Sequence, residues 1–251
     1  MGSVLADQVA IITGGAGGIG SRIARAYTAA GAHVVIASRS QDKLDRLAAE
    51  LSASGPGALA VAADVTVPKD VSNLVDRTID TFGRLDILVN NAGGAMFIKQ
   101  PLDLQAEEWN AAIALNLTSV FLCSQAAAKV MIERGGGRII NVSSVAGIRM
   151  SPAFVHYGAA KAGVINLTKS LASCWGPHDI NVNCIAPGLT ATEGVADWLP
   201  PKTLKDGSPV PSLQFPPDPE HVADLALFLA SDSSARISGE LFPIRALTEL
   251  A

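Results

Sequence analysis

Seven short apolar runs rich in β-branched residues recur along this chain, with helical patterns between them. That alternation limits the fold more than any other feature. VAIIT (Val9 to Thr13) is apolar throughout, as a strand buried on both faces has to be. A helix pattern follows from about Gly18 to Ala30, closed by Gly31. HVVIAS (His33 to Ser38) is the second run, and Ser40 then has the chemistry of an N-cap for a helix reaching about Ser54. ALAVAA is the third, with Pro68 near the start of the next helix, where a missing N–H costs nothing. LDILVN, GRIINVSS, DINVNCIAP and ELFPI complete the set, with long helices expected over about Gln105 to Met131 and Phe154 to Trp175.

Strand, helix, strand in this repetition requires right-handed crossovers, which give a parallel sheet covered on both faces. The expectation is a single α/β domain over residues 1–251, a doubly wound parallel sheet of about seven strands. Ligands then belong at the carboxyl ends of the strands, near the point where the strand order reverses. One stretch breaks the rhythm. Seven of the 14 prolines fall between Pro200 and Pro219, so the region around 193–219 is expected to be a mobile flap beside the site.

Composition excludes several function classes. Hydrophobic residues make up 49% and charged residues 17%, enough for a sizeable core and unlike a disordered chain. A net charge of -4 without any basic run argues against nucleic acid or an anionic membrane surface as partner. MGSVLADQVAIIT lacks a basic region followed by a long apolar stretch, and no run of about 18 apolar residues stands out. No secretory signal or membrane span is therefore expected, and the expected location is cytoplasmic. Cys123, Cys174 and Cys184 are odd in number and lack CxxC or metal-ligand spacing, so buried reduced thiols and no metal are expected.

Residues 13 to 20, TGGAGGIG, follow the first strand and open a helix, a place suited to a pyrophosphate. The glycines read in two registers: GxGxxG through Gly15, Gly17 and Gly20, or TGxxxGxG through Gly14, Gly18 and Gly20. YGAAK places Tyr157 and Lys161 four apart on an expected helix, so they share a face. An ammonium beside a phenol favours the phenolate and lowers a pKa that starts near about 10, which suits a general acid and base. Ser144 stands 13 residues before Tyr157, at the carboxyl end of the fifth strand, where its hydroxyl can reach a substrate carbonyl. NNAGG (Asn90 to Gly94) makes a compact turn after the fourth strand. Asn116 falls mid-helix in IALNLTS, an unfavourable place for asparagine unless its amide is needed. NCIAPGLTAT ends the sixth strand in a Pro-Gly turn with two threonines able to bond a carboxamide.

In this order TGGAGGIG, DV at Asp64, NNAG, Asn116, NVSS, YGAAK and PGLTAT resemble the short-chain dehydrogenase/reductase family along nearly the whole chain. The resemblance implies a Rossmann-like fold and the TGxxxGxG register. Tyr157 is then the catalytic acid/base, and Lys161 binds the nicotinamide ribose and depresses the tyrosine pKa. Ser144 orients the substrate oxygen, ahead of its rival Ser143, and Asn116 holds a water relaying protons toward Lys161. Gly14, Gly18, Ile19, Gly20, Asn91, Ala92, Gly93, Pro187 and Gly188 would bind the cofactor, with Asp64 and Val65 at the adenine and Thr190 and Thr192 near the carboxamide. His156 reads as a packing or rim residue.

A dinucleotide site for NAD usually places a carboxylate at the end of the second strand; here Ser38 and Arg39 stand there. A guanidinium with hydroxyls suits a 2′-phosphate, so NADP(H) is the expected cofactor and NAD(H) the runner-up. Ala95, Met96, Phe97, Ile148, Met150, Phe154, Leu189, Val195 and Trp198 flank the inferred site and suggest an apolar small-molecule ketone or secondary alcohol. A 3-oxoacyl-carrier-protein reductase is the alternative, with Lys129 and Arg134 as basic docking residues but Ser173 where another would help. A cofactor-binding regulator or scaffold is the alternative that is not an enzyme. The family's last strand commonly ends in Asp-Gly-Gly, whereas this chain reads FPIRALTELA; a homotetramer, or a dimer, is expected on the two long helices.

Overall fold

The computed structural model describes residues 3–247, so the end of FPIRALTELA, from 248 on, lies outside the described residues. The seven strands are β1 (Val9–Thr13), β2 (His33–Ser38), β3 (Ala58–Ala62), β4 (Ile87–Asn90), β5 (Gly137–Val142), β6 (Ile180–Pro187) and β7 (Leu241–Ile244). They form one parallel sheet in the order β3-β2-β1-β4-β5-β6-β7, a Rossmann-like arrangement. The order reverses between β1 and β4, which opens a crevice at their carboxyl ends.

Two cores explain why the strands read as unbroken apolar runs. Ala10 and Ile12 of β1 face one core, and Val9 and Ile11 face the other, because successive side chains alternate across a sheet. On the first face lie α1 (Gly18–Ala29), α2 (Gln41–Ser54) and α7 (Pro219–Ala230), through residues such as Ile23, Leu44 and Val222. Tyr27 of α1, fully buried there, donates its hydroxyl to the Ala226 carbonyl at 2.9 Å. On the second face lie α3 (Pro68–Phe82), α5 (Ser119–Arg134) and α6 (Val155–Trp175), through Leu74, Met131 and Leu171.

Two expectations need correction. The long helix over 105–131 is α4 (Ala106–Ile113) and α5 joined by a π-helical turn, Ala114–Thr118, centred on the buried Asn116. Taken together, Ala106–Arg134 is long and apolar enough to cross a membrane by length and hydropathy, although no such run stood out in the sequence. Its inward side packs on α3, α6 and the sheet, while Trp109, Phe121 and Ile132 are exposed. Among the cysteines, Cys123 and Cys184 are buried but Cys174 is exposed, on the outer side of the last turns of α6.

Between β6 and α7 the chain makes 3-10 turns at Glu193–Trp198 and Ser212–Gln214 and one short bridge, Thr203 to Pro209. Phe154, just before α6, stacks on Trp198 of this segment at 6.2 Å. The Leu247 amide donates to the Leu213 carbonyl, so the chain that leaves β7 through Arg245 and Ala246 runs on against the same segment.

Candidate active site

Thr13 ends β1 and ties the crevice together. Its hydroxyl donates to the Val89 carbonyl of β4 and accepts from the Asn91 and Ala92 amides. Asn91 returns its amide to the carbonyls of Thr13 and Gly14, both at 3.1 Å. The loop that follows needs glycine at particular positions. Gly14 and Gly18 have φ of +64° and +49°, a region that costs side-chain-bearing residues energy. At Gly20 a Cβ would collide with the Gly14 carbonyl oxygen and Asn91. These are the glycines of the TGxxxGxG register. Gly15 is also crowded, by Ile36, but Gly17 has open space around it and an extended backbone. The first turn of α1 has neither a side-chain cap nor an acidic residue, which leaves its amides for an anion.

A cavity of about 380 Å³ opens above the loop at the carboxyl ends of β1, β4, β5 and β6. Gly14, Gly18 and Ile19 form one wall, and Asn91, Ala92 and Gly93 the next. Ser144, Tyr157 and Lys161 come in from β5 and α6; Pro187, Gly188, Thr190 and Thr192 close the far side after β6. Leu189 and Val195, expected to flank the site, line it too, as do Gly17, Val142 and Ser143, which were not among the site residues expected from sequence. Val142 and Ser143 sit inside the quoted motif NVSS, so adjacency was the available signal; Gly17 belonged to the rejected register.

Local contacts set each polar group. The Ser144 Oγ accepts from the Ala146 amide at 3.2 Å, which leaves its own proton free to donate into the cavity. Ser143 turns away and donates to the Lys161 carbonyl at 2.7 Å, which pins α6 to β5. Lys161 is 2% exposed, and its ammonium donates to the Val142 carbonyl at 2.9 Å, 5.7 Å from the centre of the Tyr157 ring. Burial lowers its pKa from 10.5 to about 8. For Tyr157 burial has the opposite effect, raising the phenol above its usual value, and only the Ser144 hydroxyl pulls the other way. Burial, rather than the ammonium near the ring, sets the direction for the phenol in this arrangement, whereas the sequence led to the expectation that Lys161 depresses it.

Some expected residues stand outside this cavity. Asn116 is fully buried behind it. Its amide accepts from the Gly94 N–H at 2.9 Å and donates to the Gly94 and Ala112 carbonyls, so it braces the turn after β4 and widens the helix. A Cβ at Gly93 would lie 2.7 Å from the Asn116 Oδ1 and 3.1 Å from the Lys161 ammonium, so both groups flank that glycine. Ser38 and Arg39 end β2, beside β3, in a second group with Asp64. The Asp64 carboxylate accepts from the Thr66 amide and hydroxyl, and those bonds, with the Arg39 charge, hold its pKa down. The Val65 side chain belongs to the second core. His156 is buried against Phe97 with its Nε2 unpartnered.

The glycine cradle and the uncapped α1 terminus fit the pyrophosphate of a dinucleotide. The profile of the family described as short chain dehydrogenase matches residues 8–202. The chain belongs to that family. Short-chain dehydrogenases are oxidoreductases that act on CH–OH groups with a nicotinamide dinucleotide, NAD or NADP. A 3-oxoacyl-[acyl-carrier-protein] reductase of Synechocystis sp. is 40% identical over 252 residues, covering 96% of this chain and 97% of that one. A short-chain type dehydrogenase/reductase from Mycobacterium marinum superposes with a TM-score of 0.88 at 36% identity, covering 96% of this chain and 95% of that one. A 7α-hydroxysteroid dehydrogenase solved with NADH and 7-oxo glycochenodeoxycholic acid also gives 0.88, at 31% identity, covering 98% and 95%.

Proposed function

We propose that this short-chain dehydrogenase is an NADP(H)-preferring carbonyl reductase and secondary alcohol dehydrogenase, with Tyr157 as acid and base. The observation that carries the reading is the meeting of Ser144, Tyr157 and Lys161 with the glycine loop in one cavity. A nicotinamide dinucleotide bound there would supply hydride to, or take it from, the substrate carbon. Gly14, Gly18, Ile19 and the α1 amides would hold its pyrophosphate, and Thr190 and Thr192 would reach the carboxamide.

The free Ser144 proton can bond a substrate carbonyl oxygen and fix its position. Tyr157, raised by burial, keeps its proton at neutral pH and can donate it to the same oxygen as charge builds there. Lys161 can bond a ribose hydroxyl, and its charge favours the phenolate left after donation. These directions favour reduction at neutral pH, with oxidation gaining as the phenol ionises at higher pH. Asn116 positions the Gly93–Gly94 turn against Lys161.

Arg39, exposed and without an ion pair among the described residues, supports the preference for NADP(H). Met96, Ile148, Leu189 and Trp198, all substantially exposed along the segments flanking the site, support an apolar substrate. The Synechocystis relative favours one second reading, reduction of a 3-oxoacyl group on a carrier protein. Against it, Arg134 is committed to the Gly83 carbonyl. We place the protein in the cytoplasm as a homotetramer or dimer. Fluorescence titration with NADPH and NADH, then turnover of a carbonyl panel, tests the reading. Wild type should prefer NADPH, Arg39→Asp should reverse the preference, and Tyr157→Phe should bind NADPH but lose turnover by roughly 100-fold or more. Equal use of both cofactors by wild type would overturn the cofactor assignment; full activity in Tyr157→Phe would overturn the chemistry.

A further inference from the structure

A second cavity, of about 460 Å³, lies on the other side of the glycine loop. It shares Gly17, Gly18 and Thr192 with the first, so the two adjoin. Arg22 and Arg25 enter it from α1, and Lys43 and Arg46 from α2. Four cations on one cavity are unusual in a chain of net charge -4, and their mutual repulsion calls for counter-charge.

The protein supplies that counter-charge for only two of them. Arg25 is held by both oxygens of Glu50, at 2.6 and 3.0 Å, and Arg22 by Glu220 at 3.1 Å. Among the described residues Lys43 and Arg46 have no carboxylate partner; the Arg46 Nε donates only to the backbone carbonyl of Asp42. They lie three apart on α2, hence on one face, where like charges oppose the helix. Glu193, the remaining carboxylate on the wall, enters from the segment after β6. A Cβ at Gly17 would meet nothing within 4 Å, so the loop leaves room for a ligand that reaches its backbone.

We propose that this cavity is a phosphate site, in which Lys43 and Arg46 hold a phosphomonoester. Lysine supplies a point charge and arginine a fork of donors that matches phosphate oxygens. Two sources carry that group: the 2′-phosphate of a dinucleotide lying in the adjoining cavity, or a free phosphorylated ligand. The first source rests on the NADP(H) reading given above; the site itself does not.

The test compares wild type with Lys43→Gln/Arg46→Gln, two exposed substitutions on the outer side of α2 whose folding is checked by circular dichroism. Thermal melting with millimolar inorganic phosphate, against chloride at equal ionic strength, reads the site. Wild type should gain melting temperature and the double variant should not; an equal gain in both overturns the proposal. Loss of the response in Arg39→Asp, with the double variant unaffected, overturns it too. Titration with NADPH and NADH identifies the source. If NADPH carries the phosphate, the double variant should bind it roughly ten-fold more weakly with NADH unchanged, and saturating NADPH should abolish the phosphate response in wild type. If the response persists beside saturating NADPH, the ligand is a separate one. Should wild type not prefer NADPH at all, the cofactor reading falls while the melting experiment still decides the site.

Discussion

Lys161 is a buried ammonium with a single carbonyl for company, and its replacement should stabilise the fold. Burial takes its pKa from 10.5 to about 8, and each unit is worth about 1.4 kcal/mol between the two protonation states. Near neutral pH the lysine is charged both folded and unfolded, so folding bears the full penalty, about 3 kcal/mol. Lys161→Met fills the same volume without the charge. It also leaves the Val142 carbonyl without its donor, a loss of about 1 kcal/mol. The variant should therefore be more stable by about 2 kcal/mol near neutral pH. Because the folded pKa is the lower one, the unfolded chain binds the extra proton between pH 8 and pH 10.5. Wild-type stability must then rise by about 3 kcal/mol relative to the variant across that window, so above it the variant should be the less stable by about 1 kcal/mol, the lost hydrogen bond. Urea unfolding of both proteins without cofactor, at a series of pH values under reducing conditions, measures this directly. A variant less stable than wild type near neutral pH, or a gap indifferent to pH, would refute the reasoning. On the proposed role of Lys161, turnover should be lost throughout.

Two further substitutions test the scaffold. Asn116→Leu removes three hydrogen bonds around Gly94 and Ala112 and should cost about 3 kcal/mol in urea unfolding. It should also weaken turnover, because the Gly93 turn faces Lys161; unchanged stability would refute the bracing role. Tyr27→Phe deletes one buried bond to Ala226 on the α1–α7 contact, and neither residue lines the cavity. It should cost about 1 kcal/mol by the same assay with no change in turnover.

Much of this architecture was legible because its signals are local. The VAII of β1 and the ILV of β4 are apolar without a break because both strands are covered on both faces, and the pattern announces a parallel sheet. The TGxxxGxG spacing was legible for a similar reason. Gly14 and Gly18 occupy backbone conformations that favour glycine, and Gly20 faces a carbonyl, so no other residue serves cheaply. A four-residue spacing on a helix likewise puts Tyr157 and Lys161 on one face, and both line the cavity. Asn116 was noticed as an anomaly, but the π-turn was not, since it depends on a carbonyl from Gly94, twenty-two residues away.

What spacing cannot carry is the dielectric. The same four-residue step that brings the ammonium near the phenol also drives it beneath the sheet edge, against the Val142 carbonyl, where water is excluded. Desolvation raises the phenol and lowers the amine together, an effect that residue spacing does not reveal. Val65 carries the same lesson in packing: a motif marked it for the adenine, yet its side chain lies in the core, and only its backbone is left to meet a ligand.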